Sequence, residues 1–333
     1  MLGDPPPPEA LLHAPPTIRK HRLHGMEHGG AVMPVKLHKI LCATDLSNDS
    51  NRVVPYGLAL ARAFEAKLPV AHCLDLTPLS YGELFPHVSP DRVREMVRQA
   101  EERIRCLVGE TDVRWEPLIV SGSASLAIAQ AIDEQVVDLV ITSTRSRPGL
   151  RRMILGSVTE TILHSTSAPV LAIRNPEHEF LGPDARSLFL RRILVGCDFS
   201  ADSEAAVAYG LSLARRFDAE LHLFHSLEPT IYRYLNVTTG TLADDIERAV
   251  EQTVRQKLSG IVPGDKHPWC RVKSAFANGA PHTQIVKYAQ REAIDLIIVG
   301  RRGQRLIEKL LVGSTADRVL RQASSPVLVV QSA

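Results

Sequence analysis

The sequence predicts an α/β fold: two tandem Rossmann-like domains, each an open five-stranded parallel sheet with helices on both faces. Three observations carry this. At 333 residues the chain holds two domains of about 150 residues, each large enough to bury its own core. Short apolar runs alternate with helical patterns, the signature of a parallel sheet covered on both sides. And the first such segment returns: Lys39–Ser50 reads KILCATDLSNDS and Arg192–Ser203 reads RILVGCDFSADS, so that Asp45 and Asp198 stand 153 positions apart. The same offset relates Tyr56-Gly57-Leu58 to Tyr209-Gly210-Leu211 and His72 to His225. Further on it becomes 157, as Asp138-Leu139 matches Asp295-Leu296 and Pro169-Val170-Leu171 matches Pro326-Val327-Leu328. A register kept through so many segments marks a duplication, with four extra residues in the second copy between its second and third strands.

Residues 1–35 are expected to form a disordered tail, because Pro5–Pro8, Pro15-Pro16 and Gly29-Gly30 do not build a packed element. His13, His21, His24 and His28 in that tail lack thiol or carboxylate companions at ligand spacing, so a solvated tail is favoured over a metal site. In the second copy the apparent strands are Ile193–Cys197, Ala219–Ser226, Val272–Ala277, Asp295–Val299 and Pro326–Val330. Their short apolar runs suit strands buried on both faces. Asp202–Phe217 places Ala206, Tyr209, Gly210, Leu213 and Phe217 at helical spacing, which predicts a core-facing stripe. Leu242–Leu258 is long and charged, as an outer helix should be. In the first copy Ser89-Pro90-Asp91 reads as an N-cap followed by proline at the first helical position. Pro55 falls about one turn into a predicted helix, opposite Ala208, and should kink that helix or delay its start. Residues 38–174 and 191–331 thus form the two domains, joined by an ordered but irregular linker over 175–190.

Composition narrows the function classes. Lys+Arg of 39 against Asp+Glu of 37 leaves a net charge of +2, which argues against nucleic acid or an anionic membrane as partner. Five scattered cysteines without a CxxC pair fit reduced thiols in a cytoplasmic protein. No apolar run reaches the ~20 residues needed to span a bilayer.

The most informative stretch is Gly300-Arg301-Arg302-Gly303, nine residues, then Gly313-Ser314-Thr315. It follows the fourth strand and opens a helix, where ligands of open α/β sheets bind. Glycines there let the backbone approach a phosphate or take positive φ. The helix beginning near Gly313 presents N–H groups and a dipole to an anion, with Ser314 and Thr315 as hydroxyl donors. Asp198, ending the first strand, would face the same crevice. It would either hold a divalent cation such as Mg against phosphates or cap the following helix. Arg301, Arg302, Arg305 and Lys309 read equally as phosphate clamps or as ordinary surface charges. No GxxxxGK[ST] P-loop, nucleophile elbow or HExxH is present, so an enzyme is not expected beyond slow hydrolysis of a bound nucleotide.

With these features in order, the sequence resembles the universal stress protein family. They are the Asp turn with Ser two residues on, the second strand ending in His, the G-x2-G-x9-G-[ST] loop and the closing Pro-Val-Leu-Val strand. The resemblance covers nearly everything but the tail. It implies an adenine nucleotide alpha hydrolase-like fold and a stress-response regulator or sensor that binds ATP. Carried over residue by residue, it implicates Asp198, Ser226, Gly300, Gly303, Gly313, Ser314 and Thr315, while His225 packs within the fold. The alternatives are a nucleotide-independent interaction scaffold with protein partners still unknown, and a slow ATPase or phosphotransferase.

The first copy departs from the pattern. Ser143 and Ser146 replace the two glycines, while Asp45, Cys73, Gly156 and Ser157 keep the remaining positions as weaker candidates. If the loop needs positive φ, serine strains it by about 1–2 kcal/mol. The arginine-rich loop with Arg145, Arg147, Arg151 and Arg152 would then attract at most a smaller anion, or be a solvated surface. The resemblance also implies dimer-like pairing through the last strands, Pro169–Ile173 and Pro326–Val330. That pairing forms either within one chain, as an intramolecular pseudo-dimer, or between chains, as a homodimer.

Overall fold

The structure, a computed structural model, describes residues 34–74, 89–144, 155–174, 180–227, 248–262, 270–303 and 312–332, together with the backbone of 240–247. The four tail histidines, Ser146, the first-copy loop arginines, Arg305 and Lys309 lie outside the described residues.

The first copy runs β1 (Ile40–Ala43), α1 (Asn48–Asn51), α2 (Val53–Phe64), β2 (Leu68–Leu74), α3 (Pro90–Val108), β3 (Trp115–Ser121), α4 (Ala124–Glu134), β4 (Leu139–Ser143), α5 (Ser157–Ser165) and β5 (Val170–Ile173). The second runs β6 (Arg192–Gly196), α6 (Ala201–Phe217), β7 (Glu220–Leu227), α7 (Gly240–Ile261), β8 (Val272–Asn278), α8 (Pro281–Arg291), β9 (Leu296–Gly300), α9 (Ser314–Gln322) and β10 (Val327–Val330). Within each copy all strand pairs are parallel, and the two halves carry the same strand order. The central apolar runs Ile40–Cys42 and Ile193–Val195 are buried completely, as strands covered on both faces must be. No helix among the described residues is long and apolar enough to cross a membrane.

The two half-sheets are one sheet. Its order is β3-β2-β1-β4-β5-β10-β9-β6-β7-β8, and the central β5–β10 pair is its antiparallel step. Leu171 lies opposite Leu328, Val170 opposite Val329 and Ala172 opposite Val327. Leu171 and Leu328 are equivalents under the 157 offset, so a pseudo-twofold axis passes between them. On the α2/α6 face Phe64 and Phe217, equivalents under the 153 offset, meet edge to face with ring centroids 6.2 Å apart. The core on that face runs through both copies without interruption. The pairing through the last strands therefore forms inside one chain.

Local signals in the sequence act as expected. Ser89 caps α3, accepting from the Arg92 amide at 3.3 Å, and Pro90 occupies the first turn. Pro55 sits in the first turn of α2, and the helix is interrupted at Arg52, whereas α6 runs unbroken past the equivalent Ala208. The end of the tail is a correction to the composition-based reading. The Val35 amide donates to the Ser212 hydroxyl at 2.7 Å, and Leu37 is buried. Val35 and Leu37 are the 153-offset equivalents of Leu188 and Leu190. All four line one apolar cavity of about 30 Å³ between the copies, large enough for a water but too apolar to favour one. In the linker, Leu181 pairs with Leu188, and buried Phe180 packs edge-on against Tyr56 at 5.0 Å.

Leu328→Ala should cost about 2–5 kcal/mol, because its side chain is buried on the pseudo-twofold axis. Urea unfolding followed by both tryptophan fluorescence and far-ultraviolet circular dichroism checks this. Because the core is shared, both probes should shift together in a single transition.

Candidate functional site

In the second copy β7 and β8 lie on one side of β6, while β9 and β10 lie on the other. The crevice at the carboxyl ends of β6 and β9 is therefore a topological switch point, where open α/β sheets bind ligands. Asp198 follows β6 after one residue, Cys197. It is held from behind by Ser200, whose amide donates to Asp198 Oδ1 at 3.0 Å and whose hydroxyl donates to the same oxygen. Between them Phe199 takes the left-handed conformation, with φ 61°. Ser200, rather than Asp198, caps α6 by accepting from the Ser203 amide at 3.3 Å. The capping alternative for Asp198 thus falls to its neighbour.

The glycines matter for space. A Cβ on Gly303 would lie 2.6 Å from Asp198 Oδ2, and one on Gly300 would lie 2.8 and 2.9 Å from backbone atoms of Asp202 and Ser203. Neither glycine has positive φ, so the strain argument for serine at these positions does not apply; at Gly300 steric exclusion by backbone replaces it, whereas at Gly303 the neighbour is the end of the Asp198 side chain. At the loop's far end, Gly313 is the N-cap residue of α9 with φ −62° and ψ 145°, and it has no side chain of its own to cap the helix. The first-turn N–H groups at Ser314 and Thr315 therefore lack intrahelical partners. The Gly313 amide donates to the Arg301 carbonyl at 2.7 Å, which joins the two described ends of the loop.

The other predicted residues line the same edge of the sheet. The Ser226 hydroxyl donates to the Gly279 carbonyl at 2.8 Å. His225 donates Nδ1–H to the Cys197 carbonyl at 2.7 Å, a structural bond that fixes its tautomer. Its ring lies 4.9 Å from Phe199, over which Lys257 of α7 stands at 5.3 Å. In the first copy His72 bonds the Thr44 carbonyl at 3.0 Å, and Cys73 donates to the Gly122 carbonyl at 3.4 Å. Asp45 accepts from the Ser47 amide at 3.0 Å and from the Ser50 hydroxyl. Ser143 ends β4 in the place of Gly300, and its carbonyl accepts from Thr159 at 3.0 Å. Gly156 is the N-cap of α5, with Ser157 exposed beyond it.

Sequence reasoning missed three features. Gly279 and Gly122, with φ 141° and 119°, follow the third strand of each copy and supply the carbonyls that Ser226 and Cys73 contact. The 157 offset between them was the available signal. Asp202 was read only as the start of a helix. It is 3 % exposed and accepts from the Arg302 amide (2.9 Å) and guanidinium (3.1 Å), and from the Ser332 amide (2.8 Å) and hydroxyl (2.7 Å). Burial raises its pKa, but the Ser332 and Arg302 donors outweigh this and hold it below the ordinary carboxylate value. Arg301, the third, is neither a phosphate clamp nor a surface charge. It is 7 % exposed and donates to the His164 and Thr166 carbonyls of the first copy. Burial and the neighbouring Arg302 lower its pKa to about 10, which leaves it charged at neutral pH.

Asp202→Asn should cost about 1–3 kcal/mol at pH 7 by disturbing this network. A carboxylate with a lowered folded pKa adds stability above its unfolded value of about 3.9, and loses it as pH falls through the folded value. Urea unfolding should therefore show the gap between wild type and variant narrowing below about pH 4.

A family model described as the universal stress protein family matches residues 36–174 and 190–331. Universal stress protein Rv2005c of Mycobacterium tuberculosis is 23% identical over 304 residues, spanning 90% of this chain and 98% of that protein. Universal stress protein MJ0531 of Methanocaldococcus jannaschii is 25% identical over 141 residues, 42% of this chain and 82% of its own length. Among solved structures, a universal stress protein from Archaeoglobus fulgidus superposes with a TM-score of 0.63 at 21% identity, covering 89% of this chain and 98% of that one. With the family model matching both copies, the chain belongs to the universal stress protein family, in which it is a tandem member.

Proposed function

We propose that the chain is a stress-response regulator of the cytoplasm that binds an adenine nucleotide, ATP, in the second-domain crevice. The observation that carries this reading is the cradle between Asp198 and α9. Gly303 lets the loop backbone pass close to the Asp198 carboxylate, where a Cβ would stand 2.6 Å from Oδ2. Gly313 opens α9 without a side chain of its own to cap it, and first-turn amides with the positive end of a helix dipole suit a phosphate. Asp198 has the right chemistry to share a magnesium ion with phosphate oxygens. The backbone beside Ser226 offers polar groups for a base, while the Ser226 hydroxyl itself is taken up by Gly279.

The reading is one of binding rather than turnover. His225, the nearest candidate base, spends Nδ1–H on a backbone carbonyl as part of the fold. The first copy fits the scaffold reading better, because Ser143 stands where Gly300 packs against the α6 backbone.

Titration calorimetry with ATP-Mg tests the proposal. Wild type should release or absorb heat with a stoichiometry near one. Gly313→Val should lose at least tenfold in affinity, since φ −62° and ψ 145° admit valine and the added bulk falls at the cradle. A wild-type protein that gives neither heat nor a thermal shift with ATP-Mg ends this reading.

A further inference from the structure

Arg301 lies between the two glycines that open the loop, yet its guanidinium serves the other copy. Nη1 donates to the Thr166 carbonyl at 2.7 Å and to Gln331 Oε1 at 2.6 Å, and Nη2 donates to the His164 carbonyl at 2.6 Å. His164 and Thr166 end α5 of the first copy, so a cation meets the negative pole of a helix whose last carbonyls need donors. The Arg301 backbone is engaged as well. Its amide donates to the Val330 carbonyl at 2.6 Å, and its carbonyl receives the Gly313 amide at 2.7 Å. One buried residue thus ties the first-copy helix, the central strand β10 and both described ends of the glycine loop together.

The mirror position lacks this device. Under the 157 offset Arg301 corresponds to Thr144, whose side chain is too short to cross the interface. The reciprocal cross-copy contact comes from Arg174, which donates to the Ala323 carbonyl at the end of α9 at 2.9 Å and belongs to no glycine loop. Each copy therefore sends an arginine to the other's helix terminus, and one of the two is built into the candidate site.

We infer that Arg301 is a positioning residue through which the first copy holds the two described ends of the second copy's glycine loop, Gly300–Gly303 and Gly313, in place for a ligand, so the second site is complete only with the first copy docked. The inference rests on the nucleotide reading for its functional consequence. It accounts for a first copy that has lost its own glycines and is still packed against the second.

The test uses the full chain and two readouts: ATP-Mg affinity by calorimetry, and amide exchange of Gly313 without ligand. Arg301→Met should weaken ATP binding at least tenfold and accelerate Gly313 exchange at least tenfold. Arg301→Lys, which keeps the charge but not the fork, should recover part of both. Gln331→Ala, a milder change that leaves Arg301 in place, should shift both readouts two- to fivefold, and it decides the matter if Arg301→Met does not fold. Arg174→Met should move neither readout more than twofold. Wild-type affinity and exchange in Arg301→Met overturn the inference, as do equal losses in Arg301→Met and Arg174→Met, which would make Arg301 general interface glue. If wild type binds no ATP, the nucleotide reading fails by itself, and the Gly313 exchange rates still decide whether Arg301 positions the loop.

Discussion

The antiparallel ladder between β5 and β10 is the interaction on which the rest of the molecule depends. Each parallel half-sheet ends in a strand with one row of unpaired N–H and C=O groups, an edge that invites association. Pairing Val170–Ala172 with Val327–Val329 satisfies both rows at once and turns two five-stranded sheets into one of ten strands. The pairing also brings α2 and α6 side by side, so that Phe64 and Phe217 meet and Arg216 stands 5.4 Å over the Phe64 ring. The edges left over are β3 and β8. Pro117 in β3 and Lys273 in β8 are residues that discourage further strand addition there.

Around this ladder the backbone repeats faithfully while the side-chain environments do not. Leu46 and Phe199, Glu65 and Asp218, and Val136 and Ala293 are pairs of repeat equivalents, and all six are non-glycine residues with positive φ. Such conformations cost about 1 kcal/mol or more each and persist only where the surrounding structure over-determines them. The duplicated frame evidently does so twice. The divergence is concentrated at the carboxyl ends of the central strands. Thr144 stands in the place of Arg301, and Ser143 in the place of Gly300. The aspartate at the start of the following helix is kept in both copies, but Asp202 is buried whereas its equivalent Asp49 is exposed. The same residue therefore organises the second crevice and only decorates the surface of the first. The copies differ where a ligand would be held and agree where the chain must fold.

Most of the architecture was legible because it rests on short-range signals: the apolar runs of the strands, the Ser89-Pro90 start of α3, Pro55 against Ala208, and the offset register itself. The glycine loop was legible as a candidate site, but the reason for its glycines was not. Gly300 is small because the Asp202 and Ser203 backbone lies against it, a contact between residues about 100 positions apart in the chain. Arg301 was illegible for a stronger version of the same reason. Its acceptors in the first copy are backbone carbonyls 135 and 137 residues away, and a carbonyl leaves no mark in a sequence. Asp202 was hidden by its own ordinariness, since an acidic residue in a first helical turn reads as a dipole partner, and Asp49 repeats it. Val35 was placed in the tail because the proline-rich composition before it outweighed its equivalence to Leu188.

The central claim, that β5 and β10 of the same chain complete one sheet, is tested most directly by cross-linking across the pair. Leu171→Cys combined with Leu328→Cys places two thiols at directly opposed positions, where Cα separations in antiparallel sheets of about 4.5–5.5 Å fall within disulfide reach. After mild oxidation the account predicts a disulfide within a single chain, with the 36.6 kDa mass unchanged apart from two lost hydrogens. Covalent dimers joined through the same two cysteines would show instead that the strands are exchanged between chains, and would contradict it.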